Sequence, residues 1–178
     1  MSRAKAWIGP VIAALVIGAV THVAVVVAAP SRIMEKAMGR LSGDGARTNR
    51  WTHAPRTSPA SRQIVRPSPD LAYSSCVYDL SKGPVLITAP AWDDYASLSI
   101  FAANTDNFYV VNDRQMPPGG ARVVLVQEGQ PPPKVDAKVV VSPSTRGVAL
   151  LRYLAPSRER FAAAAAARKS AQCASLAK

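Results

Sequence analysis

Residues 75–112 read SCVYDLSKGPVLITAPAWDDYASLSIFAANTDNFYVVN. Short runs rich in Val, Ile, Leu, Tyr and Phe alternate here with clusters of Ser, Gly, Pro, Asp and Asn. The runs are too short for helices, and β-branched and aromatic side chains suit a pleated, half-buried surface. Four strands are predicted, over 75–80, 85–89, 96–102 and 108–112. The punctuation between them is strong: Ser81-Lys82-Gly83-Pro84, then Pro90 to Asp94, then Asn104 to Asn107. Gly supplies positive φ, Pro fixes φ and removes a donor, and Asn and Asp bond their own backbone, so each cluster favours a turn.

The texture continues towards the C terminus. Runs at 122–127, 137–141 and 148–153 are separated by Gly129 to Pro133 and Ser142 to Gly147, and Pro117 to Gly120 precedes them. Seven short strands without intervening helical periodicity predict a mainly β domain over 67–154, a small antiparallel sandwich or partly closed barrel. A unit of roughly 85 residues buries a smaller share of its surface than a larger domain does, so its sheet edges need cover. Beyond it, Ser157 reads as an N-cap with Glu159 in the first turn. The following FAAAAAARKSAQCASLAK is rich in strong helix formers and predicts a C-terminal Ala-rich helix within 155–178.

Towards the N terminus, residues 42–66 are SGDGARTNRWTHAPRTSPASRQIVR. They lack apolar periodicity and are read as a flexible basic linker. In 30–41, PSRIMEKAMGRL, a stripe of Ile33, Met34, Ala37, Met38 and Leu41 opposes Arg32, Lys36 and Arg40. This predicts a juxtamembrane amphipathic helix at headgroup level, or a simple continuation of the preceding helix. Residues 7–29, WIGPVIAALVIGAVTHVAVVVAA, carry no Asp, Glu, Lys or Arg. About 20 apolar residues cross a bilayer core, so a transmembrane helix is predicted, with 1–6 as a cytoplasmic tail. The rival is a cleaved signal peptide, but its apolar region is usually about 7–15 residues, and Pro30 makes a poor junction. His22 within the span has no acidic partner there and is read as incidental.

The net charge is +11. Residues 1–66 hold ten Lys and Arg against Glu35 and Asp44, and 67–178 hold twelve against nine. Basicity therefore belongs to the segments flanking the span, and the partner it suggests is the lipid bilayer. A nucleic-acid module would carry its basic face, interleaved with aromatics, on the folded part, so no nucleic acid is expected. Lys and Arg near the two ends of the span are nearly balanced under the positive-inside rule, and the six-residue tail sets an N-in, C-out reading. In an exported compartment Cys76 and Cys173 are candidates for a disulfide; alternatively Cys76 is a small buried residue and Cys173 an exposed thiol.

The two histidines, His22 and His53, both fall outside 67–154, which removes His-assisted nucleophilic catalysis and His-containing metal sites from the predicted domain. Two cysteines so far apart give no zinc spacing, and no phosphate-cradling loop or G-x-S-x-G is present. No metal or cofactor is expected. What remains is a polar set in which Asp70, Tyr73, Asn104 and Asp106 could form a ligand-binding pocket at one end of the sandwich, with turn chemistry as the plain alternative for the Asn and Asp positions.

The stretches SPDLAYSSCVYDLSKGPVLITAP (68–90) and YASLSIFAANTDNFYVVNDRQ (95–115) resemble a bacterial family, the domain of unknown function numbered 1254. The family pattern falls on Asp70, Tyr73, Ser74, Asp79, Leu80, Gly83, Pro84, Tyr95, Ser97, Asn104, Asp106, Asn107 and Phe108. The sequence departs from it at Ser68-Pro69 and Leu71, which weakens a pocket built there. The resemblance implies a β-rich fold without an established activity and a bacterial source, so the span and orientation read above become an expectation of the inner membrane with the soluble domain in the periplasm. It also implies a second domain, resembling the family numbered 1214, that usually follows in the same chain. Two functions are therefore expected to compete. One is a membrane-tethered, non-catalytic interaction module whose partner is a separate protein resembling that second domain, or a second copy. The other is a ligand-binding or enzymatic domain using Asp70, Tyr73 and Asn104.

Overall fold

The computed structural model describes residues 3–62, 64 and 66–176. A 40-residue helix, α1 (Arg3–Ser42), leads into two stacked sheets. The strands are β1 (Thr52–His53), β2 (Leu71–Asp79), β3 (Val85–Ala89), β4 (Ala96–Ala102), β5 (Asn107–Asn112), β6 (Ala121–Gln127), β7 (Lys138–Ser142), β8 (Arg146–Leu154) and β9 (Cys173–Ser175), with α2 (Arg158–Ala167) between the last two. One sheet has the order β1-β2-β8-β4-β5 and the other β7-β6-β3-β9, an open sandwich. All seven predicted strands are present. Two short ones, β1 and β9, lie in segments read as linker and helix.

Alternation builds the core. Ala72, Cys76 and Tyr78 of β2, Ala149, Leu151 and Tyr153 of β8, and Leu98 and Ile100 of β4 face Val85 and Ile87 of β3 and Val123 and Leu125 of β6. Gly147 is required by a close approach: a Cβ there would overlap the Phe101 carbonyl and the Tyr78 phenol. That phenol bonds the Ser142 hydroxyl at 2.9 Å and donates to the Phe101 carbonyl at 3.2 Å. Tyr153 stacks on Trp92 with centroids 5.3 Å apart and donates to the Pro90 carbonyl. Burial pushes its phenol up to about 12.

Three expectations are corrected. The strands are not all antiparallel, because β6 and β7 run parallel, Val124 opposite Val139. Pro131 to Pro133 have no amide donors for a hairpin ladder, and the segment instead runs back along β6, fixed where Arg122 donates to the Asp136 carbonyl at 3.0 Å. The C-terminal helix stops at Ala167. Its cap, Ser157 accepting from the Arg160 amide at 3.1 Å, is as read, but 3-10 geometry over Arg168–Ser170 and then β9 replace its second half. Propensity yields there to pairing with the β3 edge and to a bond between Cys76 and Cys173.

Residues 48–54 are not a loose tether. Asn49 caps the Val77 carbonyl and exchanges bonds with Asp79, and β1 pairs with β2. For 30–41 the second reading holds: α1 continues past Pro30 without a break, and its apolar stripe meets protein as well as solvent. Met34 and Met38, 8% and 6% exposed, pack with Val77 and Val148 on the outer face of the first sheet, beside Ala37, Leu41 and Phe101. Ile33 stays exposed, as do the large apolar side chains from Trp7 to Val27. The helix is long and apolar enough to cross a membrane.

Candidate functional site

A two-sheet sandwich has four edges, and here they are treated unequally. On one side lie β1 and β9, of two and three residues. Trp51 donates from Nε1 to the Gln172 carbonyl at 2.9 Å across that side, and the disulfide joins β2 to β9 with Cα atoms 6.6 Å apart. The opposite side is formed by β5 and β7, which terminate their sheets. They approach each other where Lys138 Nζ lies 5.2 Å from the Tyr109 ring centre. Val110 on β5 and Val139 and Val141 on β7 are 55%, 43% and 56% exposed. Unpaired ladder groups together with exposed β-branched side chains are what an added strand or a second sheet would cover.

The closed side contains a polar node that sequence reasoning divided between two segments. His53, assigned above to the linker, belongs to the sandwich, so the folded part does contain a histidine. Its Nδ1 lies 2.8 Å from the Ser74 hydroxyl. Arg168, 3% exposed, donates from Nη1 to the Tyr73 carbonyl at 2.6 Å and from Nη2 to the Ala54 carbonyl at 2.9 Å. One guanidinium thus bridges the N-terminal segment and the sheet, with the Phe161 ring 5.2 Å away. Burial, and then the Arg168 charge, hold the His53 imidazole below its ordinary value. The pair does not form a nucleophile site: Ser74 is 1% exposed, so a substrate cannot reach its oxygen.

The four residues proposed as a pocket are not assembled into one. Leu71 pairs with Leu154, and Ala102 with Gly147. Asp70 and Asn104 therefore flank opposite ends of β8, separated by roughly 23 Å at about 3.3 Å per residue. The Tyr73 hydroxyl accepts from the Ser68 amide at 2.9 Å, and the Asp70 carbonyl accepts from Ala155 at 2.7 Å. Asn104 and Asp106 bond each other, side chain to side chain at 2.6 Å and Asp106 amide to Asn104 Oδ1 at 3.2 Å, in a turn where Thr105 has φ 75°. Among the described residues no group of three or more His, Cys, Asp or Glu could hold a metal ion. Sequence reasoning missed Arg168 and β1. The available signal was Trp51-Thr52-His53, two aromatic rings around a β-branched residue inside an otherwise small and polar stretch.

A family model described as Protein of unknown function (DUF1254) matches residues 48–175. No curated protein matches the chain. Among crystal structures, the VPA0106 protein from Vibrio parahaemolyticus is similar in fold, with a TM-score of 0.57 at 16% identity over 85% of this chain and 38% of that one. An uncharacterized protein from Burkholderia cenocepacia gives 0.49 at 14% identity, over 68% and 35%. The chain thus spans well under half the length of either. The match begins at residue 48, the point where the linker becomes part of the sandwich.

Proposed function

We propose the following for this chain, which belongs to the DUF1254 family: it is a membrane-tethered, non-catalytic interaction module whose β5–β7 side receives a partner. The anchor is α1, crossing the bacterial inner membrane once, with the tail inside and the sandwich in the periplasm. The partner is a separate protein resembling the family numbered 1214, or a second copy of the chain. The observation that carries the reading is the asymmetry of the edges. The β1–β9 side is stitched by a disulfide, a tryptophan and a buried arginine, whereas the β5–β7 side ends on Val110, Val139 and Val141. Anchoring both partners in one bilayer raises their effective concentration.

The test uses the full-length chain in its native membranes with a photocrosslinking amino acid at Val110 or Val139. Ala174 on exposed β9 serves as the control position. Adducts at 110 and 139, identified by mass spectrometry as such a protein or as a dimer of this chain and absent at 174, support the reading. Equal labelling at all three positions, or none at 110 and 139, removes it.

A further inference from the structure

Because α1 is unbroken past Pro30, positions along it can be converted to heights. At about 1.5 Å per residue, Ser31 lies about 3 Å and Glu35 about 9 Å beyond Ala29, the last residue of the apolar run. Headgroups fill roughly 5–8 Å outside the hydrocarbon on each side of a bilayer. A cleft of about 590 Å3 opens from that layer, at Ser31, to its outer margin, at Glu35. One wall is α1, with Ser31 and Glu35; the other is formed by two turns of the sandwich, with Asn104, Ser144, Thr145 and Arg146.

The charged groups lining this cleft are Glu35 on the helix and Arg146 on the sandwich, each with a counter-charge outside the lining. Arg32 lies 3.7 Å from Glu35 on the helix, and Arg146 lies 3.4 Å from Asp79 on the sandwich. The Arg146 contact runs through Nε rather than through the terminal fork, and its side chain is 47% exposed. Glu35 is 72% exposed. A purely anionic headgroup can meet Arg146 but sets its remaining charge against Glu35. A zwitterion gains at both ends, because a phosphodiester fits the guanidinium fork and a primary ammonium fits a carboxylate. A quaternary ammonium would instead favour aromatic faces, and among the described residues the lining contains none.

We infer that this cleft seats the headgroup of a zwitterionic phospholipid with a primary ammonium, the phosphatidylethanolamine class, its phosphate towards Arg146 and its ammonium towards Glu35. The inference rests on residues 7–29 being a membrane span. Lys36 and Arg47, outside the cleft, attract anionic lipid in general, and that is the competing outcome to be measured.

The experiment uses full-length protein in nanodiscs of equal parts phosphatidylethanolamine, phosphatidylglycerol and phosphatidylcholine. The protein is extracted into mild detergent, and the lipids it retains are counted by native mass spectrometry. Phosphatidylethanolamine should be retained about fivefold over either competitor, the scale of one interfacial ion pair. Glu35→Gln should bring retention to the bulk ratio, and Glu35→Lys should shift it to phosphatidylglycerol. Position 35 is a solvent-exposed helix site, so neither change threatens folding. Retention at the bulk ratio by the wild type, an excess of phosphatidylglycerol, or no response to Glu35→Lys overturns the site. If water-soluble glycerophosphoethanolamine displaces the lipid at equal concentration, the membrane source is wrong. A chain that stays soluble without detergent would refute the span itself, and the crosslinking result at Val110 and Val139 is independent of all these outcomes.

Discussion

Breaking the bond between Cys76 and Cys173 should remove a large part of the stability of this domain. Cys76 lies fully buried in the middle of β2, and Cys173 opens β9, 97 residues later. In the chain-entropy relation, a closed loop of that length restricts the unfolded chain by about 4.7 kcal/mol at 25 °C. Small domains are stable by only about 5–15 kcal/mol, so the expected loss is a third or more of the total. The native contacts around β9 do not substitute for it. The Arg168 bonds, the Trp51 bond to Gln172 and the Thr88 amide bond to the Gln172 carbonyl hold the folded segment but leave the unfolded chain unrestricted. The perturbation is Cys173→Ala, which leaves Cys76 in place and a thiol-sized space at a partly open edge; reductant on the wild type is the parallel arm. The assay is urea denaturation followed by Trp51 and Trp92 fluorescence, with an expected loss of about 3–5 kcal/mol in both arms. A loss below about 1 kcal/mol would refute the reasoning, since loop closure would then constrain little. Two reactive thiols per chain in the unreduced, denatured protein would refute the bond itself.

Gly147→Ala should prevent a stable fold or cost about 3 kcal/mol, because the new methyl would overlap the Phe101 carbonyl and the Tyr78 ring; circular dichroism melts would reveal it, and an unchanged midpoint would show that the strands separate easily. Met38→Ala should weaken docking of α1 by about 2 kcal/mol, read as faster amide exchange of Asn49, whose N–H bonds the Val77 carbonyl at 2.8 Å; unchanged exchange would mean that the helix does not bear on the sheet. The His53 imidazole is held below its ordinary value of 6.5 in the fold. The unfolded chain therefore takes up a proton at higher pH than the native one, and the contribution is full above 6.5 and is lost as pH falls through the lowered folded value. Amide exchange of Ala54, after correction for intrinsic rates, should rise across that window in the wild type and not in His53→Gln; a flat profile in both would show that the imidazole is uncoupled from β1.

Strand identity was legible because β2, β4 and β8 alternate side chains between a packed inner face and an outer one, and turn residues bound them. The parallel course of β7 was not legible, since period-2 alternation is the same in either direction and only Pro131 to Pro133 hinted at a crossover. The end of α2 was hidden because helix propensity is a local quantity, whereas Cys173 answers to a partner 97 residues away. The linker misled for the same reason: Asn49 to Ala54 offer only the Trp51 ring to the core and are otherwise ordered through Tyr73, Asp79 and Arg168. Among the site residues, turn chemistry was the accurate reading of Asn104 and Asp106. Asp70 and Tyr73 were grouped with them because sequence spacing does not say which end of a strand a residue occupies.

The unbroken passage of α1 through Pro30 makes it a stalk rather than a leash. On a leash of two dozen residues the sandwich would tumble freely, and its β5–β7 side would point anywhere. On a stalk of about 60 Å, at about 1.5 Å per residue, seated through Met34 and Met38, the tilt of the half proposed to be embedded becomes the tilt of the whole sandwich. In the proposed arrangement that side sweeps a circle at constant altitude above the lipid, and the hunt for a mate narrows to spinning about one axis and drifting in a plane. Thinning or thickening the bilayer would lean the stalk, and with it the altitude at which the valine edge travels.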